Sequence, residues 1–386
     1  MPRQFTGKRV ILVPGSLELG GTERQAIYLA KYLQERENAS VRIIGFSEPG
    51  RAAQLCDELG VPWKTIPIRW GKTRLTRWAS AALHLAAALR RERPDVLLPY
   101  LAFPNILCGL IWRLTGAKAC VWNQRDEGFN LDRRIAYWAV RNTPVFVANS
   151  SAGREILVQR FRVRRDSVQV VHNGVAMPPV EGGRSAWRER LKLSDDCFVA
   201  CMLANITKLK DHATLLHAWR LVVDQLHAAG RSGTLLLAGR LDDATPMKAL
   251  AFDLELGQSV RFLGPVADVA GLLSSVDLAV FSSRAEGCPN GVLECMASGL
   301  AVVASDILGV REAVGPDGAA LLSEPGNAES MAQSIIRLAF DPALRTALGH
   351  VGRNRIKSCF SVDQMGAAMT TIIADALAGR CRNRHQ

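Results

Sequence analysis

Apolar residues recur along the chain in two alternating rhythms. Short runs rich in Val, Ile and Leu fall at 10–13, 41–46, 96–99, 119–122, 145–148 and 168–171. Between them lie stretches with apolar positions three and four apart, such as 23–37 and 74–91. Short buried-type runs predict strands, and the longer spacing predicts helices. Their alternation predicts a parallel sheet covered by helices. The rhythm stops at 176–185, where two prolines and two glycines carry no periodicity and predict a linker. It restarts with strands at 198–203, 234–237, 260–263, 278–282 and 301–304, and with a helix at 213–226. The expected architecture is α/β, with two doubly wound, Rossmann-like domains at 1–178 and 179–360 facing across a cleft. Residues 361–386 are expected to form a helix packing back on the first domain, followed by a basic tail. Open α/β sheets bind ligands at the carboxyl ends of their strands, so function is sought there.

Composition narrows the class. The chain has 386 residues, 48% apolar and 22% charged, which suits two globular cores and excludes a disordered chain. Net charge is +12, unevenly placed: residues 1–180 hold 27 basic against 14 acidic residues, and the remainder 21 against 22. A basic half of this kind tends to meet an anionic partner. Nine cysteines without a C-x-x-C pair read as reduced thiols in a cytoplasmic protein. The apolar run near residue 10 is too short for a secretion signal. The longest apolar stretch, 96–112, is broken by Pro99, Pro104 and Asn105 and predicts no membrane span.

Three segments carry chemistry. The first follows the first strand and holds Gly20 and Gly21, then Thr22-x-x-Gln25. That spacing predicts a capping box with the helix starting at Thr22, and paired glycines at a helix start can admit a phosphate. A plain capped turn is the alternative. The second, Asn205 to His212, places Lys208 and Lys210 after the first strand of the second half. It can neutralise a diphosphate, or be only a solvated basic loop. The third runs from Phe281 to Gly299. Glu286, Gly287, Cys288, Pro289, Asn290 and Gly291 make a tight loop, and Glu294 lies a turn into the following helix. Loop amides can face phosphate or sugar hydroxyls, or the acids can simply flank a turn.

In this order the segments resemble the retaining glycosyltransferase family 4, which has the GT-B fold. The resemblance runs over nearly the whole chain: Gly20-Gly21 is similar to its double-glycine loop, His172-Asn-Gly-Val175 to its turn before the linker, Asn205 through Lys210 to its basic motif, and Glu286 with Glu294 to its Glu-x7-Glu motif. The resemblance implies that Glu286 faces the donor sugar and Glu294 the ribose. The amides of Cys288 to Gly291 would hold sugar hydroxyls and phosphate. Lys210 would neutralise the departing diphosphate, aided by Gly20 and Gly21, which makes Glu286 and Lys210 the catalytic pair. It further implies same-face attack with retention, with no metal and no cofactor. Two departures stand out. Asn205 falls where the family commonly has Arg, and Lys208 can compensate. Trp122-Asn-Gln-Arg125-Asp126 falls where the family often has a His, so Arg125 or Asp126 is assigned to the acceptor, with a surface charge pair as the alternative.

The expected partners are a sugar nucleotide, with UDP the default, and a glycan or lipid-linked acceptor in surface polysaccharide or glycolipid synthesis. Residues 64–93 hold eight basic residues and one acid, with Leu75, Trp78, Ala82, Leu85 and Leu89 at helical spacing. Arg74, Arg77 and Arg91 would form a basic face on an anionic membrane at the inner side of the plasma membrane, or a solvated face of a core helix. A sugar-nucleotide epimerase and a basic nucleic-acid-binding protein are the competing classes. Sparse aromatics and the lack of a recognised motif argue against nucleic acid.

Overall fold

The computed structural model describes residues 4–68, 75–125, 133–176, 183–316 and 318–380, without the side chains of 75–78 and 133. The chain forms two compact units, Met1–Gly174 with Ser361–Gln386, and Val175–Phe360. The passage between them therefore falls inside the Asn-Gly-Val turn. Gly174 is held in the first unit by the Gln25 carboxamide, which both donates to its carbonyl and accepts from its amide at 2.8 Å. Val175 donates to the Phe360 carbonyl at 2.8 Å within the second unit.

The first unit runs β1 (Arg9–Gly15), α1 (Gly21–Glu37), β2 (Ser40–Gly45), α2 (Arg51–Leu59), β3 (Trp63–Thr65), α3 (Leu75–Arg91), β4 (Val96–Pro99), α4 (Ala102–Ile111), β5 (Ala119–Gln124), α5 (Arg133–Asn142), β6 (Val145–Ala148), α6 (Ser151–Phe161) and β7 (Val168–Val170). The second runs α7 (Gly183–Arg190), β8 (Phe198–Leu203), α8 (His212–Ala228), β9 (Gly233–Ala238), α9 (Ala244–Asp253), β10 (Val260–Gly264), α10 (Val269–Ser274), β11 (Leu278–Phe281), α11 (Asn290–Ala297), β12 (Val302–Ser305), α12 (Leu308–Val314), β13 (Ala320–Ser323), α13 (Ala328–Phe340) and α14 (Pro342–Cys359). α15 (Val362–Leu377) returns to the first unit.

Among the described residues all strand pairings are parallel. The sheet orders are β3-β2-β1-β4-β5-β6-β7 and β10-β9-β8-β11-β12-β13. Central strands such as β4, β6, β11 and β12 are buried at every position, as helices on both faces require. The edge strand β3 carries no apolar run, because an edge is covered less completely and tolerates Lys64; β13, also at an edge, is apolar over Ala320–Leu322 but buries only Ser323.

Several expectations change. α1 starts at Gly21, with Gly20 as its cap and no side-chain cap. The Thr22–Gln25 capping box is absent because Gln25 is spent on Gly174, where a carboxamide matches one peptide's donor and acceptor in a buried place. Gly183 to Ser185 belong to α7 rather than to a linker; residues 177–182 lie outside the described residues. α3 buries Leu85 and Leu89 in the core under β1 and β4, so it is a core-packed helix with Arg91 exposed. Arg74 and the Arg77 side chain lie outside the described residues. Among the described residues no helix is long and apolar enough to cross a membrane.

α15 has the capping box that α1 lacks: the Ser361 hydroxyl and the Gln364 carboxamide each take the other's backbone amide at 3.1 Å. It buries Met365, Met369, Ile372 and Ile373 with the core that α1 covers. Gly366 permits that approach, since a Cβ there would lie 2.4 Å from the Tyr32 ring.

Candidate active site

In each sheet the strand order reverses once, between β1 and β4 in the first unit and between β8 and β11 in the second. Loops leaving those neighbouring strands turn to opposite faces, and the crevice between them is where such sheets take ligands. In the second unit the two loops are 204–211, after β8, and 282–289, after β11. These are the basic segment and the Glu-x7-Glu segment.

The loops are tied together. Arg284 donates its amide to the Leu209 carbonyl at 2.9 Å, and the Ser282 hydroxyl donates to the Lys210 carbonyl at 3.3 Å. Lys210 Nζ pairs with Glu286 Oε1. The two side chains are 27% and 11% exposed, so the pair is shielded yet still reachable. Ser283 Oγ donates to the same Glu286 oxygen at 2.8 Å, and its backbone amide donates to Ser305 Oγ at 3.0 Å. Two donors thus converge on Oε1, which orients the carboxylate.

Glycine sets the depth of the loop. A Cβ on Gly309, at the start of α12, would lie 2.2 Å from the Glu286 carbonyl oxygen. A Cβ on Gly291 would lie 2.3 Å from the Leu203 carbonyl oxygen at the end of β8. Gly291 is therefore needed first for packing α11 on β8. Pro289 caps α11 and has no N–H, so the expected run of loop amides reduces to Cys288, Asn290 and Gly291. The ladder of α11 begins with Leu293 donating to Pro289. The amides of Asn290 and Gly291 precede it, at the positive end of a helix dipole. Gly287 lies with Glu286 under α12, and Glu294 is half-buried in the second turn of α11.

Asn205 also ties two loops of its own unit together. Its Oδ1 accepts the Arg240 amide at 2.9 Å, which fastens the loop after β8 to the one after β9. Lys208 is exposed. Next to Lys210, Asp211 adopts φ +45° and is held by Arg284 at 3.3 Å and by the Thr214 hydroxyl at 2.9 Å. His212 opens α8 at 2% exposure, and among the described residues neither ring nitrogen has a partner. Burial first, then the Lys210 charge, brings its imidazole down to about 4, against the pull of Asp211. It is neutral at physiological pH.

In the first unit the reversal lies between the Gly20–Gly21 loop and Tyr100–Leu101. The Glu23 carboxylate turns back over the start of α1: a Cβ on Gly20 would meet its Oε2 at 2.6 Å. The helix N-terminus thus has an internal anion beside it, which an incoming phosphate would displace. Leu101 sits at φ +66°, a strained conformation costing about 1–3 kcal/mol of the kind that gathers at functional sites. Arg125, at the end of β5, lies over the Tyr100 ring with 5.0 Å to the centroid and donates to Asn173 Oδ1. Burial pushes the Tyr100 hydroxyl up to about 12, with Arg125 pulling the other way. Arg125 is therefore fastened to the Tyr100 ring and to Asn173 within the first unit. Asp126 lies outside the described residues.

Ser283, His212, Tyr100 and Leu101 were not singled out by sequence. Ser283 has a usable signal, a hydroxyl one helical turn before Glu286. A leucine gives no sign of positive φ.

Two family descriptions match the chain: Glycosyltransferase Family 4 over residues 19–177, and Glycosyl transferases group 1 over 197–341. A lipopolysaccharide core biosynthesis glycosyltransferase, LpsE of Rhizobium meliloti, is 27% identical over 92% of this chain and 96% of its own length. An MMP α-(1→4)-mannosyltransferase of Mycolicibacterium hassiacum is 29% identical over 66% of this chain and 59% of its own. A D-inositol 3-phosphate glycosyltransferase of Streptomyces avermitilis is 27% identical over 62% of this chain and 54% of its own. The chain thus spans little more than half the length of the latter two. Among solved structures, Anabaena HepE, crystallised with UDP and glucose, aligns with a TM-score of 0.83 at 19% identity, over 95% of this chain and all of that one. WaaG, a glycosyltransferase involved in lipopolysaccharide biosynthesis, aligns at 0.73 with 15% identity, over 96% of this chain and all of that one.

Proposed function

Because the chain belongs to glycosyltransferase family 4 and has the GT-B fold, we propose that it moves a sugar from a UDP-sugar onto a glycan or lipid-linked acceptor of surface polysaccharide or glycolipid synthesis, with retention of anomeric configuration. The observation that carries this reading is the meeting of Lys210 and Glu286 at the strand-order reversal of the second unit.

The proposed mechanism follows from the charges. Donor diphosphate enters near Lys210 and competes with Glu286 for its ammonium. The carboxylate, still held by Ser283, then faces a hydroxyl of the donor sugar. Asn290 and Gly291 amides serve the phosphate, and Glu294 takes the ribose hydroxyls. The bond from the anomeric carbon to the phosphate oxygen breaks. Lys210 stabilises the charge that develops, which is electrostatic preorganisation. The acceptor oxygen attacks from the same face, and its proton passes to the departing phosphate. Glu286 is engaged by two donors on Oε1, which suits a binding role better than that of a base.

Arg125 is the proposed acceptor contact in the first unit, with Asp126 beside it in sequence. The full-length match to an LPS core glycosyltransferase supports a surface-glycan acceptor, and the UDP in the HepE complex supports the nucleotide. The basic first half is proposed to meet an anionic membrane face. Loss of liposome binding on reversing Arg74, Arg77 and Arg91 is expected, and unchanged binding would refute that part.

The test of the main reading is a screen of nucleotide sugars by turnover, with anomeric configuration read by NMR. Lys210→Ala and Glu294→Ala should each abolish transfer. Full activity in both, or an inverted product, would overturn the reading.

A further inference from the structure

At the amino ends of β11 and β12 lies a cavity of about 260 Å³, on the opposite edge of the second unit's sheet from the Lys210–Glu286 crevice. One wall is α14, with Arg345, Thr346, His350 and Arg353; the other carries Asp277 and Ser298. Gly349 presses α14 onto this edge, where a Cβ would lie 2.1 Å from the Gly299 carbonyl oxygen. The wall is therefore fixed in place by backbone packing.

Charge in this cavity does not balance. Asp277 is fully engaged: one oxygen takes Arg184 at 2.6 Å, and the other takes Arg188 at 3.0 Å and the Val199 amide at 2.8 Å. Arg345 donates to the Leu338 carbonyl at 2.6 Å, and its guanidinium lies 5.7 Å from the Phe198 ring centroid. Among the described residues, neither Arg345 nor Arg353 is paired with a carboxylate. Burial first, then Arg231 and Arg184, hold the Arg345 guanidinium below its ordinary value, against Asp277 and Asp341. A half-buried cation crowded by others is stabilised by an anion.

Geometry selects the kind of anion. Arg345 and Arg353 stand two turns apart on one helix, about 12 Å of rise at 1.5 Å per residue. Two arginine side chains reaching inward can close that span on a single group. Guanidinium forks suit a tetrahedral oxyanion with several acceptors. The cavity exceeds the size of phosphate alone, and the Ser298 and Thr346 hydroxyls, which donate to the Glu294 and Pro342 carbonyls, can accept from a hydroxyl of a larger monoester.

We propose that this cavity is a second ligand site, which holds a phosphate group, free or as a small monoester, between Arg345 and Arg353. The proposal is independent of the reading of the donor crevice.

The experiment titrates inorganic phosphate and glycerol 3-phosphate separately into the full chain carrying Lys210→Ala, which weakens phosphate capture in the donor crevice. Binding is followed by calorimetry. Saturable binding is expected, weakened at least tenfold by adding R345Q or R353Q and unchanged by K357Q, which removes an exposed cation of the same helix. Tighter binding of glycerol 3-phosphate assigns the site to a monoester, and equal binding assigns it to the phosphate group alone. Because Arg353 is exposed, R353Q keeps the test open if R345Q fails to fold. Absence of saturable binding, equal binding in R353Q, or an equal loss in K357Q would overturn the proposal.

Discussion

Ser283→Ala tests whether the Glu286 carboxylate is positioned for transfer or only packed. The Ser283 hydroxyl is buried and donates to Glu286 Oε1 at 2.8 Å, beside the Lys210 ammonium on the same oxygen. A hydrogen bond to a charged group contributes about 1.5–3 kcal/mol. The donor-sugar hydroxyl still faces the carboxylate in the variant, so the lower end applies, about 1.5 kcal/mol. If the loss falls on the transition state, at 1.36 kcal/mol per decade, kcat drops about tenfold. The loop should keep its shape, because the Ser283 backbone amide still donates to Ser305 and the Arg284 amide to Leu209. The assay is initial rate at saturating donor and acceptor, with thermal melting run alongside. Ser283→Cys keeps the volume with a weaker donor and should fall between wild type and S283A. A kcat within twofold of wild type in a folded S283A, or S283C no better than S283A, would refute the positioning argument.

Other consequences follow from the same geometry. In urea unfolding, Lys210→Ala and Glu286→Ala should each destabilise and the double variant should lose less than their sum, with a coupling of about 1–2 kcal/mol after discounting for partial exposure. Additive losses would mean the pair contributes nothing. His212 is held neutral, with its pKa brought from about 6.5 to about 4, so the unfolded chain binds its proton first. Stability should therefore fall as pH drops from 6.5 toward 4, and His212→Gln should remove up to about 3 kcal/mol of that fall, measured as the difference between the two urea-stability profiles. Gly309→Ala would force a Cβ to within 2.2 Å of the Glu286 carbonyl oxygen, so activity should drop at least tenfold with a stability cost of about 1–3 kcal/mol; normal activity would show that the loop can yield. Arg125→Lys keeps the charge but loses the planar stack on Tyr100 and should raise acceptor KM severalfold while donor KM stays constant.

Much of the fold was legible because parallel strands covered on both faces must be apolar throughout. β4, β6, β8 and β11 announce themselves in that way. The edge strand β3 does not, since an uncovered edge demands no such run. The start of α1 misled for a related reason. Thr22-x-x-Gln25 has the spacing of a cap, but the carboxamide is needed 149 positions away at Gly174. Local spacing carries no record of a distant peptide that must be satisfied.

By itself, the sequence determined the two-unit α/β order, the family, and which loops carry glycines, lysines and acids at strand ends. Those are set by periodicity and by residue type, which are local. Only the tertiary structure decided which of those groups meet. Lys210 and Glu286, 76 positions apart, touch because β8 and β11 are neighbours at the reversal of strand order. The same closure gave Asn205 and Gly291 structural duties, the latter because two backbones approach too closely for any Cβ. It also turned Arg125 from one charge in a basic half into a side chain stacked on Tyr100. Contacts made by chain reversal over such distances depend on topology and packing volume, and a run of residue types records neither.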